Sequence, residues 1–232
     1  MPTPPLNPGF YKRSPYLDDK DRALRFAART ALEWQGASEW REKALKEKNP
    51  GVAIASLVAL LRVSNRDQFH RKPSDPQPDS ALQGEIVAAL DRIDWNKLED
   101  QDRLDLLRAY SLRFIRLGKP DESTRQRLIA KFGPLFPSKV REISAELALM
   151  LVYLGAPDAA TKLMTVLRTA PTHEEQIDMA RDLRVLKTGW TQPLREEYFP
   201  WSLKAANFKG GASLAGLHGR HQSGRGGYTF QR

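Results

Sequence analysis

The sequence predicts an all-α protein: an α-solenoid of about five helix pairs followed by a disordered C-terminal tail. Three observations carry this. Strict period-two alternation and clusters of β-branched residues are nearly missing, so no strand is credible. Apolar residues recur at helical spacing through the body, as in "SKVREISAELALMLVYLG", where Val140, Ile143, Leu147, Met150, Leu151 and Leu154 share one stripe. Finally, the breaks "LGKPDES", "LGAPDAA" and "TGWTQPL" repeat, with Gly118, Gly155 and Gly189 separated by 37 and 34 residues. A period in the middle thirties with two helices per unit is a solenoid spacing.

The elements follow in order. Residues 1–15 form a Pro-rich N-terminal segment, residues 16–208 the solenoid, and residues 209–232 a Gly/Arg-rich tail. Within the solenoid, helix pairs are predicted near 18–47, 50–93, 99–133, 138–170 and 172–207. Gly just past a helix end accepts a left-handed conformation, and Pro shortly afterwards suits the first turn of the next helix, so each break reads as a helical hairpin. "WQGASEW" reads as an earlier copy of the break, with Ser38 as its N-cap. The second pair is interrupted by "SNRDQFHRKPSDPQPDS" at 64–80, which reads as an exposed loop. In the third pair, Leu104, Leu107, Tyr110, Phe114 and Leu117 make the apolar stripe, while Asp100, Asp102 and Arg116 match the two ends of the helix dipole. In "PTHEEQI", Thr172 is a good N-cap, and Glu174 and Glu175 favour the positive helix end; that explains the segment around His173 without catalysis.

Composition removes several function classes. The chain has no Cys, which excludes a disulfide framework, a zinc–thiolate site and covalent attachment of c-type haem within it. "PGVAIASLVALL" and "LALMLVYLGAP" are far shorter than the roughly 20 apolar residues that span a bilayer. The N-terminus lacks the apolar run of a secretory signal. The formal charge of +9 lies mostly at the end, because Lys204, Lys209, Arg220, Arg225 and Arg232 follow residue 203 and no acid follows Glu197. The remaining 203 residues carry 32 basic and 28 acidic side chains, an ordinary balance.

"YLDDKDRALRFAARTALE" at 16–33 resembles the first helix of a HEAT repeat, with Asp18, Arg22, Arg25, Ala27, Ala28, Ala31 and Leu32 on the D-x-x-x-R-x-x-A-A-x-A-L pattern. The longer stretches "LRAYSLRFIRLGKPD", "ELALMLVYLGAPDAATKLM", "APTHEEQI", "LRVLKTGW" and "REEYFPWSLKAANFKGGASLAG" resemble the HEAT region of large planctomycete-type (PVC-type) cell-envelope proteins. Those proteins join a dehydrogenase-like β-propeller, a HEAT solenoid and a C-terminal c-type cytochrome. The resemblance covers about residues 14–217, and in that family the segment matching Phe208, Lys209, Gly210 and Gly211 leads toward the haem module. It implies the periplasm or cell envelope, and flanking domains or a protein as partners. This chain has neither the propeller nor a C-x-x-C-H motif, so the family's redox activity attaches to no residue here.

After Leu217 the resemblance ends. "LHGRHQSGRGGYTFQ" can be encoded by codons that, read one nucleotide later, contain G-I-K-A-D-A-A-A-T-L-S, a fitting family continuation. The tail is therefore expected to arise from a frameshift near 214–218, and Met1 to be an internal start. On that reading His218 and His221 are accidental neighbours, and the lone Arg-Gly-Gly is not an RNA-binding segment.

The sequence points to no catalytic residue, no metal ligand and no cofactor. Adjacent Glu174 and Glu175, and Glu196 and Glu197, diverge on a helix and suit no shared acid–base role. Trp34, Trp40, Trp95, Trp190 and Trp201 are expected to fill wedges between repeats. "YFPWSLKAANFKGG" is the exception, and its surroundings supply the candidate docking surface: Trp190, Tyr198, Phe199, Trp201, Phe208 and Lys209. The expected function is that of a non-enzymatic scaffold. The alternative is a nucleic-acid-binding HEAT-like protein that uses the tail and a basic concave face made by Arg108, Arg113, Arg116, Arg141, Arg168, Arg181 and Arg184.

Overall fold

A computed structural model describes residues 15–66, 70–75 and 77–205. Among them the chain is all-α, with ten helices of six residues or more, three short 3-10 turns and no strand. The helices are α1 (Arg22–Glu33), α2 (Arg41–Lys46), α3 (Pro50–Ser64), α4 (Ser80–Asp91), α5 (Asp100–Leu117), α6 (Glu122–Phe132), α7 (Arg141–Leu154), α8 (Ala159–Thr169), α9 (His173–Val185) and α10 (Gln192–Ala205). Their borders fall within the five expected pairs. The chain divides into two compact units between Pro120 and Asp121.

In the first unit α3 is the central helix, packed by α1, α2, α4 and α5. Its sequence explains the position, because Val52, Ala53, Ile54, Leu57, Ala59, Leu60 and Leu61 bury nearly all of its circumference. Asn49 caps its start by accepting from the Val52 N–H at 3.0 Å, and Pro50 occupies the first helical position, where no N–H is needed. Asp21 and Asp79 cap α1 and α4 in the same way. The carbonyl end of α5 is satisfied from other parts of the unit: Arg71 donates to the Arg116 carbonyl at 3.0 Å, and Gln83 donates to that of Leu117. Cationic and amide donors at that end also suit the helix dipole. The 64–80 segment does separate α3 from α4; its residues 67–69 and 76 are outside the described residues.

The second unit is built around α7, α8 and α9. Helix α9 packs on both α7 and α8, α6 packs on α7, and α10 reaches α8. Ile143, Leu147, Met150, Leu151 and Leu154 of the expected stripe are buried, whereas Val140 sits at the N-cap. Asp121 caps α6 by accepting from Thr124 N–H at 2.8 Å. Thr172 and Glu175 make a reciprocal capping box at α9.

The three glycines of the breaks are also the three described residues with positive φ, at 93° for Gly118, 64° for Gly155 and 77° for Gly189. At Gly155 the Ala156 N–H reaches back to the Leu151 carbonyl at 2.9 Å, closing the end of α7. Two details of the predicted breaks differ. Pro120 and Pro157 stand just before the N-cap positions Asp121 and Asp158 rather than inside the next helix, with Asp121 supplying a side-chain cap and Asp158 none, whereas Pro193 does stand in the first turn of α10. Ser38 does not cap α2; it lies inside a 3-10 turn, Ala37–Glu39, and Gly36 keeps a negative φ of −56°. Trp40, fully buried, takes the capping position instead, because burying its ring outweighs a side-chain cap.

Candidate docking surface

Three local features fix the position of α10. The chain leaves α9 through Leu186 and turns at Gly189, where an added Cβ would lie 2.6 Å from the Pro157 carbonyl oxygen in the α7–α8 turn. Only glycine permits that approach of two turns. Trp190 follows, and its indole N–H donates to the Leu186 carbonyl at 2.9 Å, closing the turn. Across the body of the helix, Arg168 of α8 holds Glu197 through Nε at 2.7 Å and Nη2 at 3.0 Å, a two-point contact. That hydrogen bonding keeps the Glu197 carboxyl below its ordinary range.

The aromatic candidates divide into those that build this surface and those that face outward. Tyr198 is buried and donates from its hydroxyl to the Ala180 carbonyl at 3.0 Å; burial pushes its phenol up to about 12. Trp201 donates to Gln176 Oε1 at 3.1 Å, and Gln176 passes the contact on to the Ala170 carbonyl at 3.1 Å. Their rings form one row: Trp190 meets Tyr198 at 5.4 Å, tilted by 57°, and Tyr198 stacks with Trp201 at 6.4 Å and 16°. Phe199 meets the row only at Tyr198, at 6.1 Å and tilted by 59°, and is 61 % exposed; Leu203, one helical turn on, is 68 % exposed. Phe208 and Lys209 lie outside the described residues. The surface available for contact is thus Phe199 and Leu203, backed by a row of rings whose polar atoms are already satisfied. Leu203 had no place in the sequence-derived set, although its i+4 spacing from Phe199 was there to find.

The arginines expected to line a basic face are mostly engaged. Arg141 pairs with Asp178 at 2.8 Å, and Arg181 pairs with Asp182 at 2.9 Å. Arg113 is only 2 % exposed and donates to the Gly118 carbonyl at 2.9 Å. Arg116 donates to the Asn65 carbonyl at 2.8 Å. Arg141 and Arg181 are thus balanced by carboxylates, while Arg113 and Arg116 give donors to backbone carbonyls of the fold.

Two titratable groups outside α10 have unusual surroundings. Asp182 is buried on α9, and its Oδ2 meets no hydrogen-bond donor. Burial pushes its carboxyl up to about 6, against the pull of Arg181. Lys131, near the end of α6 beside Arg127, is pushed down to about 8, mainly by burial. Among the described residues no group of three His, Cys, Asp or Glu side chains could hold a metal ion, and no helix is long and apolar enough to cross a membrane.

Compared with known proteins, the chain matches no family model, no curated protein and no solved structure. What the described residues define is an all-helical protein whose last described helix carries a small outward apolar patch on a row of aromatic rings.

Proposed function

We propose that this chain is a non-enzymatic α-solenoid of HEAT type that serves as a docking scaffold, a segment of a multidomain cell-envelope redox protein. The observation that carries the reading is α10: Phe199 and Leu203 are exposed on a helix that Tyr198, Trp201, Gln176 and Arg168 hold in place. An apolar pair on a preorganised helix suits contact with a neighbouring domain, because little side-chain ordering is left to offset on binding. The repeated glycine turns at Gly118, Gly155 and Gly189, each leading into the next helix, support the repeat architecture. On this reading stacked helix pairs bury a continuous core and offer an extended face to the partner.

Two measurements test it. Small-angle scattering of residues 15–205 checks the architecture, since a compact globule of that length has a radius of gyration of about 16 Å. A value above about 19 Å is expected for a solenoid. For docking, the genomic frame downstream of this one is read for a C-x-x-C-H module, and that module is purified and titrated against the chain. Phe199→Ser with Leu203→Ser is expected to weaken binding by about tenfold or more. Unchanged affinity, or a genome with no such module, overturns the docking assignment.

A further inference from the structure

The first described helix carries a second apolar surface, remote in sequence from α10. Helix α1 packs its Ala28 and Leu32 side against α3, and both side chains are buried. Its other side remains apolar: Ala23, Phe26 and Ala27 are exposed there, with Phe26 at 61 %, while the half-exposed Leu24 continues the Ala28 and Leu32 stripe one turn earlier. Trp34 continues the helical path at the C-cap, with φ −79° and ψ −3°, and is 87 % exposed. Arg29 covers one side of the Phe26 ring, with its guanidinium carbon 5.3 Å from the centroid. The opposite side of the ring is left for a partner.

We infer that this face of α1 pairs with the same face of a second copy, antiparallel about a two-fold axis that passes close to Ala27 and Thr30. Three features single out a second copy as the occupant. The face is self-complementary: reversing the helix sets the large Trp34 ring of each copy over the small Ala23 of the other, and Ala27 opposite Thr30. Small residues at the centre let the helix axes approach, and the large rings at the ends fill the flanks. Arg22, exposed at the N-terminal end, comes beside the Trp34 ring of the second copy, where a guanidinium over an indole is favourable. The area also fits. At about 200 Å² per aromatic side chain, the exposed parts of Phe26 and Trp34 give about 300 Å² per copy. Ala23, Ala27 and the Arg22 stem bring the mutual interface to about 900 Å² in total, in the range of weak, reversible association. A dimer with a Kd in the range of about 1–50 µM follows. This pairing does not depend on the docking role of α10.

Sedimentation velocity of the whole chain from about 1 to about 200 µM reads the equilibrium. A monomer–dimer transition is expected, and Phe26→Ser with Trp34→Ser is expected to hold the chain monomeric at the highest concentration while the helical circular-dichroism signal stays unchanged. Both side chains are exposed, so their loss does not unmake the core. Because the chain has no Cys, single cysteines report the geometry cleanly. Ala27→Cys is expected to form a disulfide between copies on mild oxidation. Ala23→Cys is not, since the antiparallel pairing puts its two copies about 16 Å apart along the helix axis. A chain that stays monomeric throughout overturns the inference, as does a dimer that survives the double substitution or that Phe199→Ser abolishes. Cross-linking through Ala23→Cys but not Ala27→Cys overturns the antiparallel arrangement.

Discussion

Gly155 and Gly189 occupy equivalent turns, yet the cost of giving each a side chain differs. At Gly155 an added Cβ lies 3.8 Å from the nearest neighbouring side-chain atom, so only the left-handed backbone opposes it. Gly155→Ala is expected to lower stability by about 1 kcal/mol. At Gly189 the same backbone cost is joined by the contact with the Pro157 carbonyl, a main-chain atom that cannot rotate away. Gly189→Ala is expected to cost about 3 kcal/mol, and urea denaturation of the two variants ranks them. Asp182 gives a second prediction at this scale. Its folded pKa of about 6 lies above the ordinary Asp value of 3.8, so the fold favours the neutral acid. The group's contribution to stability is fully present below about pH 4 and is lost as pH rises to about 6. Asp182→Asn keeps an oxygen for the Arg181 N–H and removes the charge. It is expected to raise stability by about 1–2 kcal/mol at pH 7.5, with no gain at about pH 3.5, as read from thermal unfolding at the two pH values.

At the scale of the helix, α10 separates residues that build a surface from those that present one. Tyr198→Phe removes a buried hydroxyl and leaves the Ala180 carbonyl with one contact fewer, an expected loss of about 1 kcal/mol. Phe199→Ser changes an exposed ring and is expected to cost less than about 0.5 kcal/mol. Chemical denaturation of the pair checks the division. The sequence could not make it, because "REEYFPWSLKA" reads as one aromatic cluster until the partners of each ring are known. Helix borders were far more legible. Glycine at a helix end and an acid or Thr at the next cap are local signals, and Gly118, Gly155, Gly189, Asp121 and Thr172 behave as local chemistry dictates. Failures came where packing overrode that chemistry: Trp40 displaced Ser38 as the cap of α2, and Arg113 left the expected basic face for the interior. Asp182 was readable in principle, since it falls between Met179 and Leu183 on the buried side of α9, all three being buried. Helix α1 shows the opposite case, with Phe26 and Trp34 at spacing that suggests burial but left outside.

For the whole molecule the decisive quantity is where its charge resides. Five of the basic side chains follow residue 203 with no acid among them, and the preceding 203 residues carry an excess of only four. Within the described residues the excess is further muted, because Arg141, Arg168 and Arg181 each face a carboxylate at 2.9 Å or less. A phosphate backbone competing for those arginines would have to displace an existing partner, whereas cations without one release counterions directly. Duplex DNA binding at low salt is therefore expected to come from the tail alone. For the full chain, log K should fall with log salt at a slope of about −4.5 or shallower, consistent with no more than five phosphate contacts. A chain ending at Leu203 should lose binding altogether, as read by fluorescence anisotropy at about 50 mM salt. A shortened chain that binds with an unchanged slope would place the contact on the helical body, and the nucleic-acid reading would then displace the scaffold.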